Sequence, residues 1–125
     1  MKKKTDPRHK QRISTMKALF EKAFRKNYNP PKDSQAAKIL TQQVKINKLI
    51  AKNAPAWPIN QIAPVDLATL QLAIWEIMFS KKKEPYKVVI DEAIEIAKEF
   101  GGAASPKFVN GVLGSIVKSN TKVQK

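Results

Sequence analysis

Residues 85–117, PYKVVIDEAIEIAKEFGGAASPKFVNGVLGSIV, spell two helices separated by a glycine pair, and the way one ends and the next restarts decides the fold class. Pro85 suits a first helical turn, where the N–H it lacks would have no partner anyway. Val89, Ile90, Ala93, Ile94, Ala97 and Phe100 then recur at the three- and four-residue spacing that lines one side of an α-helix. Asp91, Glu92, Glu95, Lys98 and Glu99 fill the intervening positions and read as its wet face, for which solvation is a better account than a general-acid pair. Gly101-Gly102 offers the positive φ that commonly stops a helix, and Ser105-Pro106 offers a capping hydroxyl followed by a preset φ. Phe108, Val109, Val112, Leu113 and Ile116 form the stripe of the second helix.

Working upstream, Pro64 to Ser80 is apolar on almost every side (Leu67, Ala68, Leu70, Leu72, Ala73, Ile74, Trp75, Ile77), which predicts a central helix with others packed around it. Lys81 to Glu84 is a charged loop. Asp33 or Ser34 can cap an earlier helix running to about Lys52, with Ala36, Ala37, Leu40, Val44, Ile46, Leu49 and Ile50 as its apolar residues. Asn29-Pro30-Pro31 breaks the chain before it, and a first helix runs from about Arg8 to Lys26 on the stripe Ile13, Met16, Leu19, Phe20, Phe24. No segment alternates with period two, so the fold is predicted to be all-α, with five to six helices. At 125 residues the chain is one domain: a mobile basic tail over 1–7, N-terminal helices over 8–53 and a C-terminal helical bundle over 57–119.

Charge is the strongest bulk signal. Lys and Arg number 24 against 10 Asp and Glu, a net charge of +14, and residues 1–26 hold ten cations against Asp6 and Glu21. A cluster of that density draws polyanions by releasing their counterions, the usual footprint of a nucleic-acid surface. The candidate phosphate contacts are Lys2, Lys3, Lys4, Arg8, His9, Lys10 and Arg12; Arg8 and Arg12, four residues apart, can share one helix face, where flat guanidinium groups grip phosphates or stack on bases. Near the start of the last helix, Lys107 can add a phosphate contact, while Phe108 reads by periodicity as core and by position as a ring on which an unpaired base can stack.

Enzymatic chemistry is poorly supplied. His9 is the single histidine, cysteine is absent, and no phosphate-binding glycine loop or nucleophile elbow occurs, so neither catalysis nor a cofactor nor a metal site is expected. The lack of cysteine suits a reducing cytoplasm, and no apolar run approaches the ~20 residues needed to span a bilayer.

The 85–117 block resembles the C-terminal half of the NusB family of bacterial transcription antitermination and ribosomal-RNA synthesis factors. Trp57-Pro58-Ile59, Pro64-Val65-Asp66 and Leu72-Ala73-Ile74-Trp75-Glu76-Ile77 are similar to that family's central block, and Arg8 to Arg12 followed by Ala18-Leu19-Phe20 is similar to its arginine-rich start. The resemblance implies two perpendicular three-helix bundles. The interval between the first helix and Trp57 is short by about one helix, so the N-terminal bundle is expected to be reduced to two helices.

It further implies a binding function without turnover. The partners would be boxA-type single-stranded RNA, the small-subunit ribosomal protein NusE and an antitermination complex with RNA polymerase, with no membrane; some members of the family form homodimers, so a homodimer is also in scope. Phe108 with Lys107 would lie near the RNA, and Phe20 and Asp66 at the NusE contact, although plain core for Phe20 and a dipole-complementing first-turn acid for Asp66 account for them equally without the family. Gln71 stands where the family usually has Arg, which would remove a cation from the RNA side; Ala103-Ala104 replaces acids found in some relatives. Two other readings stay open: the RNA-binding N-terminal portion of a ribosomal-RNA cytosine methyltransferase, for which no S-adenosylmethionine-binding region is seen before Lys125, and a basic helical protein that binds nucleic acid without sequence preference.

Overall fold

Asp6 opens the described chain as an N-cap: its carboxylate accepts the Arg8 N–H at 2.9 Å, and Pro7 takes the first helical position, where its fixed φ costs nothing. In this computed structural model, which describes residues 6–54, 56–82 and 84–120, six α-helices follow. They are α1 Pro7–Phe24, α2 Gln35–Thr41, α3 Gln43–Asn53, α4 Pro64–Met78, α5 Tyr86–Phe100 and α6 Ser105–Ser119, with a 3-10 turn at Ile59–Gln61 before α4. Among the described residues there is no strand, and no helix is long and apolar enough to cross a membrane. The fold is the expected all-α one.

The apolar α4 is the axle, packed against every other α-helix. Leu70 and Ile74 are fully buried, as are Ile39 of α2, Ile46 and Ile50 of α3 and Leu113 and Ile116 of α6. Each such side chain contributes about 1.5–3 kcal/mol by leaving water. Residues 34–52, read from sequence as one helix, are two. The backbone at Gln42 (φ −107°, ψ 9°) leaves helical geometry, so α2 and α3 meet at a corner and the N-terminal lobe keeps three helices, two of them short. The same corner resets the helical register. Val44, expected in the core, is therefore 71% exposed, while Ile46 and Ile50 turn inward.

The α5–α6 junction also departs from expectation. Neither glycine has positive φ. Gly101 is instead required by crowding: a Cβ there would stand 2.5 Å from the Ser105 hydroxyl and 2.8 Å from the Ala97 carbonyl oxygen. Ser105 does not cap α6 as a hydroxyl ahead of the helix; it is the first helical residue, and its Oγ accepts the Gly102 N–H at 2.9 Å. This closed turn holds the start of α6 hard against the end of α5.

Two contacts orient α1. His9 meets Glu92 of α5, and the Lys17 ammonium lies over the Phe100 ring, 5.2 Å from its centroid. The second contact is eight residues after the first on both helices, so α1 and α5 run side by side in the same direction.

Candidate nucleic-acid interface

Sequence spacing places His9, Arg12, Met16 and Leu19 on one stripe of α1, and all four are buried. The two polar members meet acids. Nδ1 of His9 lies 2.9 Å from Oε1 of Glu92, and Arg12 donates to Glu76 of α4 through Nε and Nη2, both at 2.8 Å, and to Glu84 at 2.6 Å. Arg12 Nη1 also stands 3.3 Å from Glu92. Burial works against the guanidinium charge, but the bonds and charges of Glu76 and Glu84 outweigh it and raise its pKa above the ordinary arginine value.

Two of the expected phosphate contacts therefore face inward. His9 and Arg12 are each 7% exposed, and their hydrogen-bonding capacity is turned to carboxylates that fix α1 onto α4 and α5. Glu92, expected on the wet face of α5, is 1% exposed and belongs to the same cluster. The missed signal is in the spacing: Glu92 stands three residues after Val89 and four before Ile96, within the buried stripe of α5, just as Arg12 stands four before Met16. Opposite charges in register with two apolar stripes mark an internal ion pair.

Other expected contacts stay at the surface. Arg8 and Lys10 are exposed, Arg8 with a 3.2 Å bond to Glu84. Lys17, not singled out by sequence, joins them on the exposed side of α1. Lys107 is exposed at the start of α6, and Phe108 beside it is partly buried against the core, so the ring serves packing and retains an accessible part. Because α1 and α5 are parallel and the α5–α6 turn is closed, Lys17 and Lys107 belong to one end of the molecule. Lys2, Lys3 and Lys4 lie outside the described residues.

Elsewhere on the surface the charge is mixed. On one side a cleft of about 1130 Å³ between α1, α2 and α4 is lined by Arg8, Arg12, Lys38, Trp75, Glu76 and Glu84, a mixture of both signs. On α5, exposed Asp91, Glu95 and Glu99 stand with exposed Lys87 and Lys98, the last 3.6 Å from Glu95, so its outward face is mixed with a slight acidic excess.

The residues expected at a protein partner are split. Phe20 is partly buried against the core with its ring 4.8 Å from that of Phe24, which is 63% exposed instead of ending the core stripe. Asp66, in the first turn of α4, is 7% exposed, and its Oδ1 has no hydrogen-bond partner among the described residues. Gln71 is buried and donates to Asn47 of α3 at 2.9 Å, so this position sets an interhelical contact and is not the vacated surface cation it was expected to be. No group of three or more His, Asp or Glu among the described residues is placed to hold a metal.

Comparison with known proteins agrees with this architecture. The NusB family model matches residues 9–118. The chain is 36% identical over 129 residues to the transcription antitermination protein NusB of Chloroflexus aggregans, covering 88% of this chain and 86% of that one. The solved structure of Thermotoga maritima NusB superposes with a TM-score of 0.80 at 34% identity, covering 96% and 94% of the two chains. A NusB chain from a complex of the antitermination factors NusB and NusE with double-stranded RNA shares the fold, with a TM-score of 0.73 at 24% identity over 90% of this chain and 97% of that one.

Proposed function

This chain belongs to the NusB family, and we propose that it is a cytoplasmic RNA-binding transcription antitermination factor that acts with NusE on boxA-type single-stranded leader RNA and supports ribosomal RNA transcription. The observation that supports the reading is the position of exposed Lys17 of α1, over Phe100, at the same end of the bundle as Lys107 and Phe108 of α6. Lys2, Lys3, Lys4, Arg8, Lys10, Lys17 and Lys107 supply phosphate contacts, and the accessible part of Phe108 stacks an unpaired base. His9 and Arg12 act one step back, as positioning residues that hold α1 at a fixed angle.

The mechanism is assembly without turnover. A strand gripped by its phosphates exposes base edges that an A-form duplex would hide, so base preference requires unpaired RNA. NusE docks beside it, near Phe20 and Asp66. Held together, the leader and NusE remain near RNA polymerase and elongation resists termination.

Equilibrium binding to boxA RNA, a scrambled strand and an RNA duplex, with and without NusE, tests this. Preference for boxA that strengthens with NusE is expected. Equal binding to all three would instead favour a non-specific basic protein.

A further inference from the structure

Acidic residues are absent from two long stretches of this chain, residues 34–65 and everything after Glu99. The fold brings these stretches together. Helix α3, from the first, packs against α6, from the second, where the Ser115 hydroxyl donates to Asn53 Oδ1 at 2.7 Å. Opposite the buried Ile46 and Ile50, α3 turns Lys45, Lys48 and Lys52 outward, all exposed. Among the described residues none of these three takes part in an ion pair. From Lys45 to Lys52 is seven helical steps, about 10 Å along the helix at 1.5 Å per residue.

We propose that this lysine stripe of α3 is a second site, blind to base sequence, that holds the backbone phosphates of RNA flanking the segment bound at the start of α6. The inference rests on the RNA-binding reading above and extends it. Helix α6 links the two places: Lys107 and Phe108 lie in its first turn, and eight residues after Lys107 Ser115 touches the end of α3. The outward side of α6 between them carries Asn110 and Gly111 and no acid, so nothing negative stands in a strand's path. The alternative path, across α5, meets exposed Asp91 and Glu99 and a Glu95 already paired with Lys98, a mixed surface with a small acidic excess. The uninterrupted positive charge along α3, against the mixed charge of α5, favours one direction in which the strand leaves. A phosphodiester chain suits the stripe because the lysines are flexible point charges with no planar group among them to read a base.

The test compares a short boxA RNA with the same RNA extended at either end by about ten unrelated nucleotides, enough to outreach the ~12 Å of helix from Lys107 to Ser115. Wild-type protein is measured against the triple variant Lys45→Gln, Lys48→Gln, Lys52→Gln, with thermal melting as the check on folding. The variant is expected to bind short RNA as wild type does and to lose roughly tenfold on one extended RNA, with the log–log salt slope reduced by about 2, at ~0.7 per phosphate contact. Unchanged affinity for both extended RNAs overturns the proposal, and so does an equal loss on short and extended RNA, which would mean a diffuse charge effect. If wild type fails to bind even the short RNA, the antitermination reading falls and takes this inference with it.

Discussion

Arg12 and Glu76 meet through a bidentate fork, Nε to Oε2 and Nη2 to Oε1, across 64 residues of sequence. Glu84 closes on the same guanidinium, so one cation ties α1 to α4 and to the loop that leads into α5. Removing one member of such a buried cluster leaves the others without compensation, which costs more than the cluster's net worth. Arg12→Ala is expected to lower the unfolding free energy by about 3–5 kcal/mol in urea titrations. Arg12→Lys should recover only part of the loss, because it keeps the charge and loses the planar fork. The pH dependence follows from the raised pKa: the contribution is complete below the unfolded arginine value and is lost only as pH climbs through the higher folded one. Across the working range of the protein it should be flat.

Burial separates two classes of basic residue on α1. His9→Ala removes a buried partner of Glu92 and should cost about 1–3 kcal/mol of stability, with RNA affinity per folded molecule unchanged. Lys10→Ala and Lys107→Ala should do the reverse, leaving the melting temperature alone and each reducing the salt slope for single-stranded RNA by ~0.7. Paired melting and titration curves read both effects.

Phe108 is part core and part surface, and one substitution distinguishes the roles. Phe108→Leu keeps apolar bulk against the core while deleting the ring. If the ring stacks a base, RNA binding should weaken by ~1–3 kcal/mol, with only a small change in stability. Unaltered RNA affinity in calorimetric titration would restrict Phe108 to packing.

The glycines of this chain should respond with opposite signs. Gly101→Ala drives a Cβ into the Ser105 hydroxyl and the Ala97 carbonyl and should destabilise by about 1–3 kcal/mol. At Gly111, inside α6, a Cβ meets nothing within 4 Å, so Gly111→Ala should stabilise by about 0.5–1 kcal/mol. Thermal melting of the two variants decides it.

Helices whose apolar spacing and boundary residues agree were legible from sequence: α4, α5 and α6 lie within two residues of their expected limits. The corner at Gln42 was not, because no proline or glycine marks it and both flanking segments keep helical spacing. The α5–α6 turn was located correctly and explained wrongly; Gly101 is there for want of space, a requirement set by Ser105 four residues on, not by local φ. At the candidate site, charge alone nominated the α1 cations, and charge alone cannot tell an exposed cation from a buried one. His9 and Arg12 differ from Arg8 and Lys10 only in phase along the helix, and that phase acquires meaning once Glu76, Glu84 and Glu92 are known to face it.

The distance along the chain between Arg12 and its acids also has a temporal meaning. During synthesis the first helix emerges long before Glu76, Glu84 and Glu92, the last of which follows His9 by 83 residues. At ~5–20 residues per second the ribosome needs several seconds to deliver them. Throughout that interval Arg12, on the most cationic helix of the molecule, lacks its three acids, beside a machine built of RNA. Release of the newborn α1 into its own bundle is thus tied to completion of α5, so that maturation of this factor ends where its first-made segment finally docks.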